Sequence, residues 1–160
     1  MKKSVLFLAA CILSFAAVAA PPVVYHDASG RLAGTAVQNG NRVFYRDGQG
    51  RLTGSSTRQG GRTVYRDAQG RLVGSSVQSG GRTIYRDGQG RMTGTTLKQG
   101  SQTVFRDASG RLQGRANEQA GKVYYRDARG RFSGSAKVPA GVPPFRDPYG
   151  FTRSQGPAVR

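Results

Sequence analysis

The 160-residue chain has no tryptophan, one cysteine, one histidine and eight acidic residues against 25 lysines and arginines. Each shortage excludes something. A lone cysteine builds neither an intramolecular disulfide framework nor a cysteine-rich zinc site. A lone histidine, His26, leaves no histidine cluster for catalysis or metal binding. Beyond the first twenty residues there is no long apolar run, so a polytopic membrane protein is excluded. Seven of the eight acids recur at one position of a repeat, which speaks against a paired-carboxylate active site. No enzymatic constellation is expected, and no cofactor.

What is present begins with an export signal. Lys2 and Lys3 precede an apolar run from Val5 to Ala19, broken only by Ser14. Ala17-Val18-Ala19 places small residues at a cleavage site ahead of Pro21-Pro22, the layout of a secretory signal peptide. Residues 1–19 are therefore expected to be removed and the chain exported, to the periplasm, the cell surface or beyond. Leu8-Ala9-Ala10-Cys11 has the spelling of a lipobox, but the apolar run continues well past Cys11, which favours cleavage over lipidation. Cleavage leaves a cysteine-free chain of charge +15 with no membrane span. Leu, Ile, Val and Phe make up 23 of the 140 residues from 21 to 160, a composition expected of a disordered chain.

A repeat overrides that expectation. Tyr25, Tyr45, Tyr65, Tyr85, Phe105, Tyr125 and Phe145 open seven units of 20 residues without an insertion. Two residues on stands Asp27, Asp47, Asp67, Asp87, Asp107, Asp127 or Asp147. Three further on stands Gly30, Gly50, Gly70, Gly90, Gly110, Gly130 or Gly150. Arg and an apolar residue follow in six units, then a second glycine. Such regular spacing points to structure rather than disorder.

The unit reads as a β-hairpin. Thr63-Val64-Tyr65-Arg66 is β-branched and aromatic, hence a strand. Asp67-Ala68-Gln69-Gly70 fits a type I turn, with Asp accepting from the backbone and Gly in the left-handed region. Arg71 to Ser76 returns, and Gln78 to Gly81 turns into the next unit. This register sets Asp67 against Arg71, Leu72 against Arg66, Tyr65 against Val73 and Val64 against Gly74. Either face could be the core, because each carries large apolar positions. One hairpin buries too little to fold alone, so the units must associate. The expected fold is all-β: a stacked array of seven hairpin units, solenoid-like or a twisted sheet, over 20–153. Residues 154–160 form a loose tail. Pro21-Pro22 and Pro143-Pro144 are expected to cap the two edges against further strands.

The Asp-x-x-Gly-Arg-Leu core, as in Asp47 to Leu52, resembles the YD (Rhs-type) repeat, whose hairpins form secreted shells and adhesive surfaces. The Phe44-Tyr45-Arg46-Asp47-x-x-Gly50 stretch, and Tyr124-Tyr125-Arg126-Asp127 after Gly121, is also similar to the cell-wall-binding repeats of choline-binding proteins and clostridial toxins. Either resemblance covers residues 23–150 and implies a secreted binding or surface role. The second family uses Trp after its second glycine to cage choline. Ser55, Ser75 or Thr95 stands there instead, so choline recognition is not implied.

The arginines carry the chemistry. Arg31, Arg51, Arg71, Arg91, Arg111 and Arg131 follow the turn glycine and are expected to pair with the turn aspartates. Arg46, Arg66, Arg86, Arg106, Arg126 and Arg146 precede the aspartate and have no acid left to pair with. Arg42, Arg62, Arg82 and Lys122 share their face. In a regular stack these become ladders of like charge, to be neutralised by a polyanion. The expected partner is an anionic polysaccharide or lipopolysaccharide of the cell envelope, with nucleic acid a lesser candidate. Asp-x-x-Gly repeats also occur in calcium-binding β-rolls, but one acid flanked by two arginines repels a divalent cation. The rival expectation is a structural, self-assembling repeat protein. A surface-binding Ser/Thr ladder at 55–56, 75–76 and 95–96 is interrupted by Ala36, Arg115, Ala116 and Ala136.

Overall fold

The structure, a computed structural model, describes residues 20–139. The segment read as a signal peptide (1–19), the seventh unit with Arg146, Asp147 and Gly150, and residues 154–160 all lie outside the described residues. Twelve strands follow one another without a helix. They are β1 (Val23–Asp27), β2 (Leu32–Asn39), β3 (Arg42–Asp47), β4 (Leu52–Gln59), β5 (Arg62–Asp67) and β6 (Leu72–Ser79), then β7 (Arg82–Asp87), β8 (Met92–Gln99), β9 (Gln102–Asp107), β10 (Leu112–Gln119), β11 (Lys122–Asp127) and β12 (Phe132–Lys137). Each pairs antiparallel with its sequence neighbours, and β1 pairs with β12, so the sheet is a closed barrel. The protein is thus the all-β hairpin array that its repeat describes, with its twisted sheet closed on itself. Pro21-Pro22 precedes a strand that is paired on both sides and so caps no open edge, and Pro143-Pro144 lies outside the described residues. The terminal strands β1 and β12 pair with each other.

Two kinds of turn alternate. At one end, the turn end, Asp67 accepts the N–H of Gln69 (3.0 Å) and of Arg71 (2.9 Å) on Oδ1. Gly70 donates to the Asp67 carbonyl at 3.0 Å with φ +82°, a conformation that requires glycine. The pattern recurs at Asp27, Asp47, Asp87, Asp107 and Asp127. At the other end, two-residue turns such as Gly80-Gly81 join one unit to the next.

These loops create a parity problem that a bulge solves. Across a three-residue loop, facing residues have numbers of the same parity; across a two-residue loop they have opposite parity. A 20-residue unit with one of each would turn its inward residues outward at every repeat. One extra residue per unit restores the match. The register shifts between Tyr65 and Arg66, so Tyr65 faces Gly74, Val64 faces Ser75, and Val73 is left as the bulge. This corrects the simple hairpin register, in which Tyr65 faced Val73 and Val64 faced Gly74; the Arg66–Leu72 pair is as expected. The same shift occurs in β1–β2, β3–β4, β7–β8, β9–β10 and β11–β12. Its result is a stagger of two residues per unit: Val23 faces Ala36, which faces Tyr45.

Closure obeys the same rule. Tyr25 faces Ala136 and Asp27 faces Gly134, as Tyr45 faces Ala36 and Asp47 faces Gly34. β1 therefore occupies the place that the first strand of a seventh unit would take.

The core lies on the tyrosine face. Tyr25, Tyr45, Tyr65, Tyr85, Phe105 and Tyr125 form one inward ring, each 1–6 % exposed. Glycine faces each aromatic within its own hairpin and presents no side chain to it. The Tyr45 and Tyr65 hydroxyls meet the Ser56 and Ser76 hydroxyls at 3.1 and 3.2 Å. A barrel of about eight strands is filled by side chains, and one of about sixteen leaves a channel. With twelve, the lumen is packed at the aromatic ring and open above it.

Candidate functional site

The outer surface and the lumen are both built by the repeat, with different degrees of uniformity. Outside, Arg46, Arg66, Arg86, Arg106 and Arg126 are exposed near the turn end. Each donates from Nη1 to the carbonyl of the turn glycine four residues on, at 2.9–3.0 Å. That bond holds the guanidinium over the turn. Across the strand pair each faces an apolar residue: Leu52, Leu72, Met92, Leu112 and Phe132. His26 faces Leu32 in the first hairpin. Most of these apolar residues are well exposed, from 40 % at Leu52 to 50 % at Leu72. A belt of alternating cationic and apolar side chains thus encircles the barrel.

The arginines do not form the like-charge ladders expected of a stack. Arg66 lies between Ser55 and Leu72, so the next arginine of its set is two strands away. At about 4.8 Å per strand their backbones stand about 10 Å apart, near one Debye length at physiological salt. Arg42, Arg62, Arg82 and Lys122 share the outer face but sit at the opposite end, and Arg42 lies over the Phe44 ring at 5.9 Å.

The arginines after the turn glycine split. Arg51, Arg71, Arg91 and Arg131 bind their turn aspartates from Nε at 2.7–2.8 Å. In the first and fifth units, the Ser29 and Ser109 hydroxyls bind Asp27 and Asp107 instead, at 2.7 Å. All six described turn aspartates are held below the ordinary carboxylate range. The leading cause is the Arg91 or Arg131 bond at Asp87 and Asp127, and the serine hydroxyl at Asp27 and Asp107. At Asp47 and Asp67 partial desolvation pulls upward most strongly, but the Arg51 and Arg71 bonds with the turn amides outweigh it.

The lumen was not legible as a site from the repeat. It holds a cavity of about 750 Å³, floored by the aromatic ring and open toward the two-residue turns. Three levels of side chain rise above that floor. The first is Ala36, Ser56, Ser76, Thr96, Ala116 and Ala136; the second is Val23, Val43, Thr63, Thr83, Thr103 and Val123. In both, hydroxyls fall on β4–β9 and methyls on the strands around the β1–β12 seam. Val23, Ala36, Ala136 and Val138 pack into the core, while the hydroxyl-bearing wall borders the cavity together with Val43, Ala116 and Val123. At the mouth stand Gln38, Arg58, Gln78, Lys98 and Glu118. Arg58 donates to the Gly60 carbonyl at 3.2 Å, and Lys98 pairs with Glu118 at 3.3 Å. Glu118, the lone acid outside the turns, is thus a mouth residue. The paired Ser/Thr positions separate: Ser56, Ser76 and Thr96 face the lumen, and Ser55, Ser75 and Thr95 face out.

Among the described residues no group of three or more His, Cys, Asp or Glu could hold a metal ion, and no helix is long and apolar enough to cross a membrane. Comparison with known proteins finds no matching family model and no similar curated protein.

Proposed function

We propose that this is an exported, non-catalytic binding protein that engages an anionic polymer of the cell envelope through the outer belt. The observation that carries this reading is the alternation of Arg46, Arg66, Arg86, Arg106 and Arg126 with exposed apolar residues around the circumference. Among the described residues Arg46, Arg66, Arg106 and Arg126 form no ion pair with an acid, whereas four of the turn-glycine arginines do. A guanidinium has several N–H donors and matches phosphate and carboxylate geometry. Apolar neighbours suit a polymer whose charges lie beside acyl or sugar C–H surface, as in lipopolysaccharide. The resemblance to YD and cell-wall-binding repeats, and the signal-like N-terminus, are consistent with an envelope location.

The self-assembling alternative has less support. A cross-β fibre grows from unpaired strand edges, and every described strand has two partners.

The test is retention on immobilised lipopolysaccharide and heparin across a salt gradient. The protein should bind at low salt and release steeply as salt rises, because each contact frees counterions. A variant with all five belt arginines changed to Gln should elute at clearly lower salt. Unchanged elution of that variant overturns the proposal.

A further inference from the structure

Units that are near-copies on the outside differ inside, and they differ in phase. Around the second level the order is Val43, Thr63, Thr83, Thr103, Val123, Val23; around the first it is Ala36, Ser56, Ser76, Thr96, Ala116, Ala136. Independent drift would scatter hydroxyls through both rings. Instead both place three hydroxyls on the same neighbouring units, and all six line the cavity, flanked by Val43, Ala116 and Val123.

The chemistry of this wall selects its ligand. An acyl chain would strip water from the half-buried Thr63, Thr83 and Thr103 hydroxyls and return no hydrogen bond, which is costly for each group. Ligand cavities of about 300–1,000 Å³ take small molecules, so a folded partner does not enter. A polyhydroxylated ligand exchanges hydrogen bonds with Ser and Thr, and its C–H faces can rest on the aromatic floor. The mouth adds charge. Arg58 and Lys98 flank Gln78, one unit to either side, on the hydroxyl-bearing half of the barrel. They stand four strand spacings apart, about 19 Å along the wall. One carboxylate does not span that arc, whereas an oligosaccharide with acid groups on successive rings does.

We propose that the lumen is a binding site for a short acidic oligosaccharide. Its rings lie against the Ser/Thr wall above the tyrosine floor, and its carboxylates face Arg58 and Lys98. Glu118 draws on Lys98 in the empty site and yields it to the ligand. The site is independent of the outer belt.

Isothermal titration calorimetry with α-1,4-linked trigalacturonate tests it. Maltotriose is the neutral probe of equal length and linkage. Trigalacturonate should bind about tenfold or more tighter than maltotriose. An Arg58→Gln/Lys98→Gln variant should weaken trigalacturonate about tenfold and leave maltotriose unchanged; both side chains are exposed, so the fold is retained. Thr83→Trp, which sets a bulky ring into the Ser/Thr wall, should weaken binding of both sugars; a circular dichroism spectrum matching the parent identifies a folded variant. The five-arginine belt variant should bind trigalacturonate as the parent does. Absence of binding at millimolar trigalacturonate overturns the proposal. So does binding that survives Arg58→Gln/Lys98→Gln but is lost in the belt variant, which would assign the sugar to the outer surface.

Discussion

Asp67 uses both carboxylate oxygens. Oδ1 satisfies two turn amides and Oδ2 takes the Arg71 side chain. The carboxylate form is therefore favoured in the fold, and its pKa lies below the unfolded value. A depressed acid contributes stability that is complete above the ordinary carboxylate range and lost as pH falls through the folded value. All six described turn aspartates are depressed, four of them with this arginine bond, so the melting temperature should be nearly flat from about pH 7 to about pH 5 and fall steeply below about pH 4. Replacing Asp47, Asp67 and Asp87 by Asn should lower stability at neutral pH and make the acid limb shallower. Thermal melts followed by circular dichroism across that range check it; an acid limb of unchanged slope would remove the turn aspartates from the account. The aspartate turns were legible in the sequence because Asp and a positive-φ glycine are local requirements. The ties from Arg46 and its equivalents to the turn carbonyls were not, since nothing in the residue types forces that rotamer.

At the scale of the hairpin the decisive residue is the one with no partner. Val73, like Ala33, Thr53, Thr93, Gln113 and Ser133, occupies the bulge that keeps each tyrosine inside. Deleting Val73 leaves two bad choices: turn Tyr65 outward, or flip Ser76 and everything after it. The expected cost is on the order of 4 kcal/mol or more, among the large defects of point changes. Val73→Ala keeps the residue count and should cost about 1 kcal/mol. Urea titration of the two variants measures the difference, and equal midpoints would show that the bulge is dispensable. The strands and turns were readable from the spelling of the repeat, and the parity of its two loops already demanded an extra residue. Its position was not readable. The residue types at the bulge range from Ala to Gln, so no composition marks it.

At the scale of the molecule, closure is a competition between two similar segments. β1 fills the place next to β12 for which the seventh unit carries the matching sequence, with Phe145, Arg146 and Asp147 equivalent to Tyr25, His26 and Asp27. Pro143 and Pro144 stand where β1 has Val23 and Val24, and a proline supplies no N–H to a ladder. Val24 faces Lys137 in the closed ring. The prolines read from sequence as an end cap are therefore expected to favour β1 over the seventh unit as the partner of β12. A Pro143→Thr/Pro144→Val variant should hydrogen-exchange faster at the Val24 and Tyr25 amides and show strand-exchanged dimers by light scattering. A purely monomeric variant with parental exchange rates would contradict this. Closure was hidden from local reasoning because it depends on a stagger summed around every unit, and the hydroxyl-lined half of the lumen was hidden with it.

The two-residue stagger has a geometric consequence. Strand tilt in a barrel follows the ratio of total stagger to strand number. Each unit adds two strands and two residues of stagger, so that ratio is one however many units join, and the tilt stays near 36°. Circumference alone grows with copy number. Gain or loss of a 20-residue unit would keep the tilt and change the bore. Each added or removed unit would carry one aromatic of the floor and one residue of the mouth with it.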